Sequence, residues 1–149
     1  MIALTTAGAG FLLAVLWFDL MFDVQVLGQR ERELPEQLLA SISAYYRRVT
    51  TAARPMNRVI AAVMLATLAA IVAEIAKADV APALGWGSLA LAAAPISLAA
   101  ARTVPSAVRL GARTDSAARQ SALARSICRE HLLCLAAIAA LLALQLAAA

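Results

Sequence analysis

Charged residues are scarce in this chain. They make up 15% of its 149 residues, against about 25% in an average soluble domain, while 63% of the residues are hydrophobic and the mean hydropathy is +0.81. So large an apolar share exceeds what a soluble core of this size needs. The composition therefore excludes an ordinary water-soluble protein, and the length suits one domain, residues 1–149.

The sequence motifs of several common enzyme classes are also absent. There is no Walker loop, GxGxxG, GxSxG or HExxH, so ATP-driven, dinucleotide-dependent and serine-hydrolase chemistry have no motif here. The single histidine has no partner at HxxH or ExxH spacing, so we predict no metal site, and the sequence leaves any cofactor unknown. The two cysteines, Cys128 and Cys134, lie on different parts of a helix surface and indicate neither a disulfide nor thiol catalysis.

What the chain does have is four long apolar runs, at about 2–22, 58–77, 84–102 and 127–148. Each is long enough to cross a bilayer as a helix of about 20 residues. The first run lacks the basic start of a secretory signal peptide and exceeds the length of its apolar region, so we expect it to be retained. The sequence predicts an all-α integral membrane protein, a left-handed four-helix bundle with cytoplasmic helical extensions.

The arginines predict the orientation. All twelve lie within 30–58 or 102–129, whereas the short connection at 76–84 carries only Lys77. By the positive-inside rule both long connections are cytoplasmic and both termini lie outside, and we expect a multi-pass protein of the cell's inner (plasma) membrane. The basic connections would then contact anionic lipid headgroups of the bilayer, and no nucleic acid is needed as a partner.

Both long connections have helical patterns. Residues 34–52 predict an amphipathic helix on the cytoplasmic membrane surface, because apolar residues recur there at helical spacing, namely Leu38, Leu39, Ile42, Tyr45, Tyr46 and Val49. In the second connection, Thr114 or Asp115 is expected to cap a helix that runs on into the last span. That helix would have about 33 residues and a length of about 50 Å.

Small residues recur at a four-three-four spacing in every span. They are Ala3, Ala7, Gly10 and Ala14; Ala62, Ala66, Ala69 and Ala73; Ala90, Ala94, Ser97 and Ala101; and Ala136, Ala140, Ala143 and Ala147. This heptad rhythm is typical of left-handed bundles in which helices approach closely. The pattern leaves open whether the stripes face other helices of the chain or a second copy in a homo-oligomer.

Polar residues at span depth mark the candidate site, because ionisable groups are costly there. Asp19 and Asp23 share one face near the cytoplasmic end of the first span, and His131 begins the membrane part of the last. We predict that His131 and Asp19 are catalytic and move protons. The predicted ligand-binding residues are Trp17, Phe22, Asp23, Asn57, Arg58, Arg102, Arg109 and Glu130.

A structural interpretation of the same residues stands beside the functional one. Acidic residues at a helix end commonly pair with nearby arginines, and a lone histidine at a helix start is commonly a hydrogen-bonded interface residue. Near the outer ends of their spans, Glu74 and Lys77 are expected to form a local pair, and Gln145 a hydrogen bond between helices.

The layout resembles the small anthrone-oxygenase-like membrane family over most of the chain. The resemblance rests on four spans and on the stretches Tyr45–Arg48, Arg54–Asn57, Thr103–Pro105 and Arg129–His131. It implies cofactor-independent oxidation of a polycyclic anthrone to a quinone, with the histidine of the last helix, His131, in proton transfer.

Three function classes follow. The first is a membrane-embedded binding protein or oxygenase-like enzyme for a hydrophobic aromatic molecule from the cytoplasmic leaflet, with Arg102 or Arg109 stabilising developing negative charge. The second is a small oligomeric transporter or channel that uses the acidic pair. The third is a noncatalytic membrane scaffold whose cytoplasmic helices bind lipid or a partner. The first is our main hypothesis.

Overall fold

The computed structural model describes residues 1–148, apart from the side chain of Arg54; the final residue of the predicted domain, Ala149, lies outside the described residues. Over this range the chain is helical and has no strand. The helices are α1 (Ile2–Asp23), α2 (Glu36–Arg47), α3 (Arg54–Ala76), α4 (Pro82–Leu98), α5 (Val104–Ala112) and α6 (Ala117–Ala147). Single π-helical turns, Arg48–Ala52 and Ala99–Thr103, join α2 to α3 and α4 to α5.

Four segments are long and apolar enough to cross a membrane: Ile2–Val26, Pro55–Ala76, Pro82–Ala112 and Ala117–Ala147. The all-α membrane fold is therefore confirmed. The third segment is longer than predicted, because α4 continues beyond Arg102 through the π-helical turn into α5. The left-handed crossing of the spans stays a prediction.

Helix boundaries follow ordinary capping chemistry. Pro55 and Pro82 lie in the first turns of α3 and α4, where a missing N–H costs nothing. The cap of α6 is Ser116, not Thr114 or Asp115 as predicted: its hydroxyl accepts a hydrogen bond from the Arg119 N–H at 3.4 Å. Ser116 has the extended backbone that a cap requires.

The four spans contact each other around a shared apolar core. α1 contacts α3 and α6, and α4 also contacts α3 and α6. The inward face of α6 has a heptad rhythm, with Ile127, His131, Cys134, Ile138, Leu141 and Gln145 all buried. The core between the spans contains Ala9, Leu12, Ile71, Ala92, Ile138 and Leu141.

The small-residue stripes face the other way. Of the sixteen stripe positions, fourteen are exposed on the surface of the chain, and the other two, Gly10 and Ala73, are half-buried. Most stripe residues therefore do not form the contacts between helices of this chain. On α1 and α6 the inward faces have the same rhythm, offset by two residues, and carry mostly larger or polar residues.

The predicted amphipathic helix is present as α2, but its apolar face is covered by protein. Leu39, Ile42 and Tyr46 are buried in a second core that α2 forms with α5 and the first half of α6. The expectation that this face lies on lipid is therefore not met, because α5 and the first half of α6 pack against it. The α-helix itself is also shorter than 34–52.

Gly111 allows α5 to approach the end of α2. A Cβ atom at this position would lie 2.8 Å from the Arg47 backbone nitrogen and 3.0 Å from its Cα. These are backbone atoms, which cannot rotate away as a side chain can. The absence of a side chain at Gly111 is thus a packing requirement of the second core.

Gly111→Ala should destabilise the protein. Overpacking a well-packed contact typically costs about 1–3 kcal/mol, which exceeds the helix-propensity gain of alanine near a helix end. Unfolding of the full chain in detergent micelles, followed by circular dichroism, measures the loss. Gly10→Ala is the matched control, since no atom lies within 4 Å of its added Cβ. A Gly111→Ala variant as stable as the control would contradict the contact.

Candidate functional site

The predicted polar residues of α1 and α6 meet at the arginine-rich end of the spans. Asp19 and Asp23 lie four residues apart on the inward side of α1, and His131 faces them from α6. Two tyrosines of α2, Tyr45 and Tyr46, complete the group. We call these five residues the His131 cluster.

Asp23 is the centre of the His131 cluster. Its side chain is 1% exposed, one carboxylate oxygen accepts a hydrogen bond from the Tyr46 hydroxyl at 2.7 Å, and the other lies 2.6 Å from His131 Nδ1. The Tyr46 hydroxyl also lies 3.5 Å from that nitrogen. One carboxylate thus joins α1, α2 and α6.

Asp19 occupies the more open edge of the cluster. It accepts a hydrogen bond from the Tyr45 hydroxyl at 2.6 Å and lies 3.9 Å from His131 Nε2. The Phe22 ring stacks on Tyr45 with centroids 4.1 Å apart and covers this side. Asp19 is further along α1 from the arginine-rich end than Asp23, but Asp23 is the more buried, because α2 folds over it.

The two tyrosines are hydrogen-bond donors in this arrangement. Burial, and then the charge of the neighbouring carboxylates, raises the pKa of both the Tyr45 and the Tyr46 hydroxyl well above the usual value. Both hydroxyls therefore keep their protons at physiological pH. Each proton is directed at one aspartate.

Glu130 belongs to a neighbouring group. It is buried and accepts hydrogen bonds from Thr103 at 2.7 Å and Ser126 at 3.0 Å, and the Arg102 Nε lies 3.6 Å from it. Arg102 itself is mostly exposed. This group ties the turn after α4 to α6, and it places Arg102 on Glu130 rather than in the His131 cluster.

The other predicted ligand-binding residues lie apart from the cluster. Trp17 is 64% exposed and faces outward. Asn57 donates a hydrogen bond to the Thr50 carbonyl at 2.7 Å, Arg109 pairs with Asp115 at 2.8 Å, and Arg58 is exposed on the surface. Their positions in the sequence predicted that these residues lie at one level of the spans. They do not come together, because they lie on different faces of their helices.

A second buried polar group lies at the opposite end of the spans, and the sequence did not predict that its members meet. Glu74 is fully buried and accepts hydrogen bonds from Thr5 at 2.6 Å and Gln145 at 3.3 Å, and Gln145 also donates to Ser88 at 3.0 Å. We call these four residues, one from each span, the Glu74 cluster. The expected Glu74–Lys77 pair is wrong, because Glu74 faces inward and Lys77 is exposed. The expected inter-helix bond of Gln145 is confirmed.

The His131 cluster is closed to a reacting molecule. Both imidazole nitrogens face aspartates, and the ring is only 7% exposed. Two cavities, of about 640 and 560 Å³, are lined by other residues at the two ends of the molecule. Among the described residues, no group of three His, Cys, Asp or Glu side chains is arranged to hold a metal ion. The geometry favours a structural role, in which the His131 cluster holds helices together.

Comparison with known proteins gives one match. The model of the SHR3 chaperone family, described as ER membrane protein SH3, matches residues 2–148. The chain belongs to this family. A search of curated proteins and a search of solved structures found no significant match.

Family membership corrects two expectations. The resemblance to anthrone-oxygenase-like proteins is wrong, because the SHR3 chaperone family accounts for almost the whole chain. That resemblance rested on a four-span layout that unrelated membrane proteins can share. The plasma-membrane location is also wrong, since the family is one of ER membrane proteins. The positive-inside rule indicates the side on which arginines lie, and it does not distinguish one membrane from another.

Asp23→Ala should cost more stability than Asp19→Ala. Removal of Asp23 leaves the buried Tyr46 hydroxyl and His131 without their partner, a loss of about 3 kcal/mol, whereas Asp19 holds one hydrogen bond at a more open edge, a loss of about 1 kcal/mol. Unfolding in micelles, followed by circular dichroism, compares the two variants. Equal losses would mean that Asp23 is not the centre of the cluster.

Glu74→Ala should also destabilise the protein, while Glu74→Gln should be tolerated. Alanine leaves Thr5 and Gln145 without their acceptor, at a cost of about 2–3 kcal/mol. Glutamine still accepts from Thr5, and the Gln145 amide can turn so that its oxygen, now unpaired, accepts from it. The same unfolding assay applies, with Lys77→Ala as the exposed control. If Lys77→Ala lost as much stability as Glu74→Ala, the result would support a Glu74–Lys77 pair at the surface instead.

Proposed function

We propose that the chain is a noncatalytic membrane chaperone that binds transmembrane helices of other membrane proteins while they assemble. Its membership of the SHR3 chaperone family supports this function. The observation that carries it is the outward direction of the small-residue stripes on all four spans.

The stripes suit the binding of a partner helix. In lipid there is no hydrophobic force between helices, so association depends on close backbone approach, which small side chains allow. The chain does not use its stripes internally, since they face away from its own core. They remain available to helices from outside, and their small side chains, of which only Ser97 is polar, suit partners of varied sequence.

The polar residues argue against the enzyme hypothesis. Both nitrogens of His131 are directed at aspartates of α1, so neither can reach a substrate without displacing a carboxylate. Trp17, which was predicted to bind the ligand, faces outward at 64% exposure. Arg102 and Arg109 are paired with Glu130 and Asp115 instead of facing His131.

The same residues weaken the transporter hypothesis. The His131 cluster and the Glu74 cluster lie at opposite ends of the spans, and the core between them is apolar. Within the part of the chain that the structure describes, a proton or cation would find no chain of polar groups from one cluster to the other. The hydrogen bonds of each cluster join helices at one end of the spans.

We further propose an orientation in which both arginine-bearing connections face the cytosol and both termini face the ER lumen. The twelve arginines on one side support it. In this orientation the basic end meets the headgroups of the cytosolic leaflet.

A second copy of the chain is the alternative occupant of the stripes.

The stripes can be tested by enlarging them without touching the core. In cells that lack the endogenous protein, the triple variant Ala66→Leu, Ala94→Leu, Ala140→Leu should fail to prevent aggregation of newly made multi-span membrane proteins. Leucine at these exposed positions keeps helices apart and leaves the fold intact. The measurement is the fraction of radiolabelled multi-span proteins that sediments after mild detergent extraction.

The matched control is Ala61→Leu, Ala100→Leu, Ala139→Leu, which makes the same change at exposed positions beside the stripes of the same spans. Cells that express the control variant should have the same low sedimenting fraction of multi-span proteins as cells that express the wild type. If the stripe variant also lowers the sedimenting fraction to the wild-type value, the proposal is wrong. If the stripe variant merely converts a purified dimer to a monomer, the stripes belong to a homo-oligomer. If His131→Asn, and not the stripe variant, abolishes the effect, chemistry at the cluster is involved.

A further inference from the structure

A cavity of about 640 Å³ lies at the arginine-rich end, outside both polar clusters. Its walls come from the segment after α1 and from the first half of α6. Arg30, Arg32, Arg125 and Arg129 line it together with a single acidic residue, Glu31. Four positive charges against one negative charge make it strongly cationic.

These arginines have no carboxylate partners within the described part of the chain, where the arginine ion pairs involve Arg102, Arg109 and Arg113. Arg125 donates hydrogen bonds to the backbone carbonyls of Glu31 and Arg32, which fixes its guanidinium and the loop beside it. Arg30, Arg32 and Arg129 are exposed. The cavity thus combines one fixed arginine with three that can still bind an anion.

Apart from Gln29, the rest of the lining is apolar and lies at the edge of the membrane. Val26 ends the first candidate span, and Leu27, Ala118 and Ala122 line the cavity with it. The contact of Asp23 with His131 puts Val26 and Arg129 within about one helical turn of the same level. A ligand here would have its charge on the arginines and its apolar part against the end of the span.

We propose that this cavity binds the phosphate headgroup of an anionic phospholipid from the arginine-side leaflet. Arginine suits phosphate because its planar fork donates two hydrogen bonds at once. A free phosphate ion would use the arginines but would gain nothing from Leu27, which is 61% exposed at the rim, or from the alanines. The apolar floor beside the guanidinium groups favours a lipid.

Native mass spectrometry of the full chain tests the site. The chain is released from micelles that contain equal amounts of phosphatidylserine and phosphatidylcholine. We expect the wild type to retain phosphatidylserine preferentially, and Arg30→Gln with Arg129→Gln to weaken that retention by about fivefold for each arginine removed, the equivalent of about 1 kcal/mol each. Arg129→Lys, which keeps the charge, should retain most of the preference and shows that loss of fold is not the cause.

The matched control is Arg48→Gln with Arg119→Gln, which removes two exposed arginines that do not line the cavity. It should keep the wild-type preference. An equal loss in this control would show diffuse attraction to the basic end and would overturn the site. Displacement of phosphatidylserine by inorganic phosphate, or tighter binding of a polyglutamate peptide, would overturn the lipid as its ligand.

Discussion

The buried carboxylate of Asp23 is the interaction on which the arginine-rich end depends. A carboxylate at this depth cannot rely on water, so it must find donors on other helices. It finds Tyr46 on α2 and His131 on α6, and both lie within hydrogen-bond distance. Because the pairing is specific, it sets the position of α1 along the axis of α6 and holds α2 at the arginine-rich end of the spans. The core of α2, α5 and α6 forms around that position.

The Glu74 cluster does the same at the other end with different chemistry. One side chain from each span takes part, and the carboxylate is held by a hydroxyl and an amide rather than by a histidine. The two polar clusters hold the helices together at both ends of the spans, and apolar packing holds them together in the middle. They also hold Asp19, Asp23, His131 and Glu74 inside the chain, and along the spans the molecule presents small-residue surfaces to its surroundings. Those surfaces suit the binding of other helices better than they suit chemistry.

Much of the architecture could be predicted from local pattern. Long apolar runs predicted the four spans, and the prolines at 55 and 82 lie at helix starts as their chemistry requires. The family and the membrane could not be predicted in this way. Span count and arginine distribution are shared by proteins of many families and by more than one membrane, so layout alone favoured an oxygenase-like family and the wrong membrane. The candidate site was partly predicted: Asp19, Asp23 and His131 do meet, but Tyr45 and Tyr46 come from a helix expected on lipid, and Arg109 and Trp17 lie elsewhere.

By itself, the sequence determined the helices, the approximate ends of the spans and the heptad rhythm, since these depend on hydropathy and spacing along one chain. The tertiary structure decided which of two faces with the same rhythm is inside. A helix with small residues on one face and larger or polar ones on another can pack either way as far as periodicity is concerned. The choice depends on partners far apart in sequence, such as Asp23 with His131 and Glu74 with Thr5. A buried polar group stays unpaired until those partners meet, so their contact directs the polar faces inward and the alanine stripes outward.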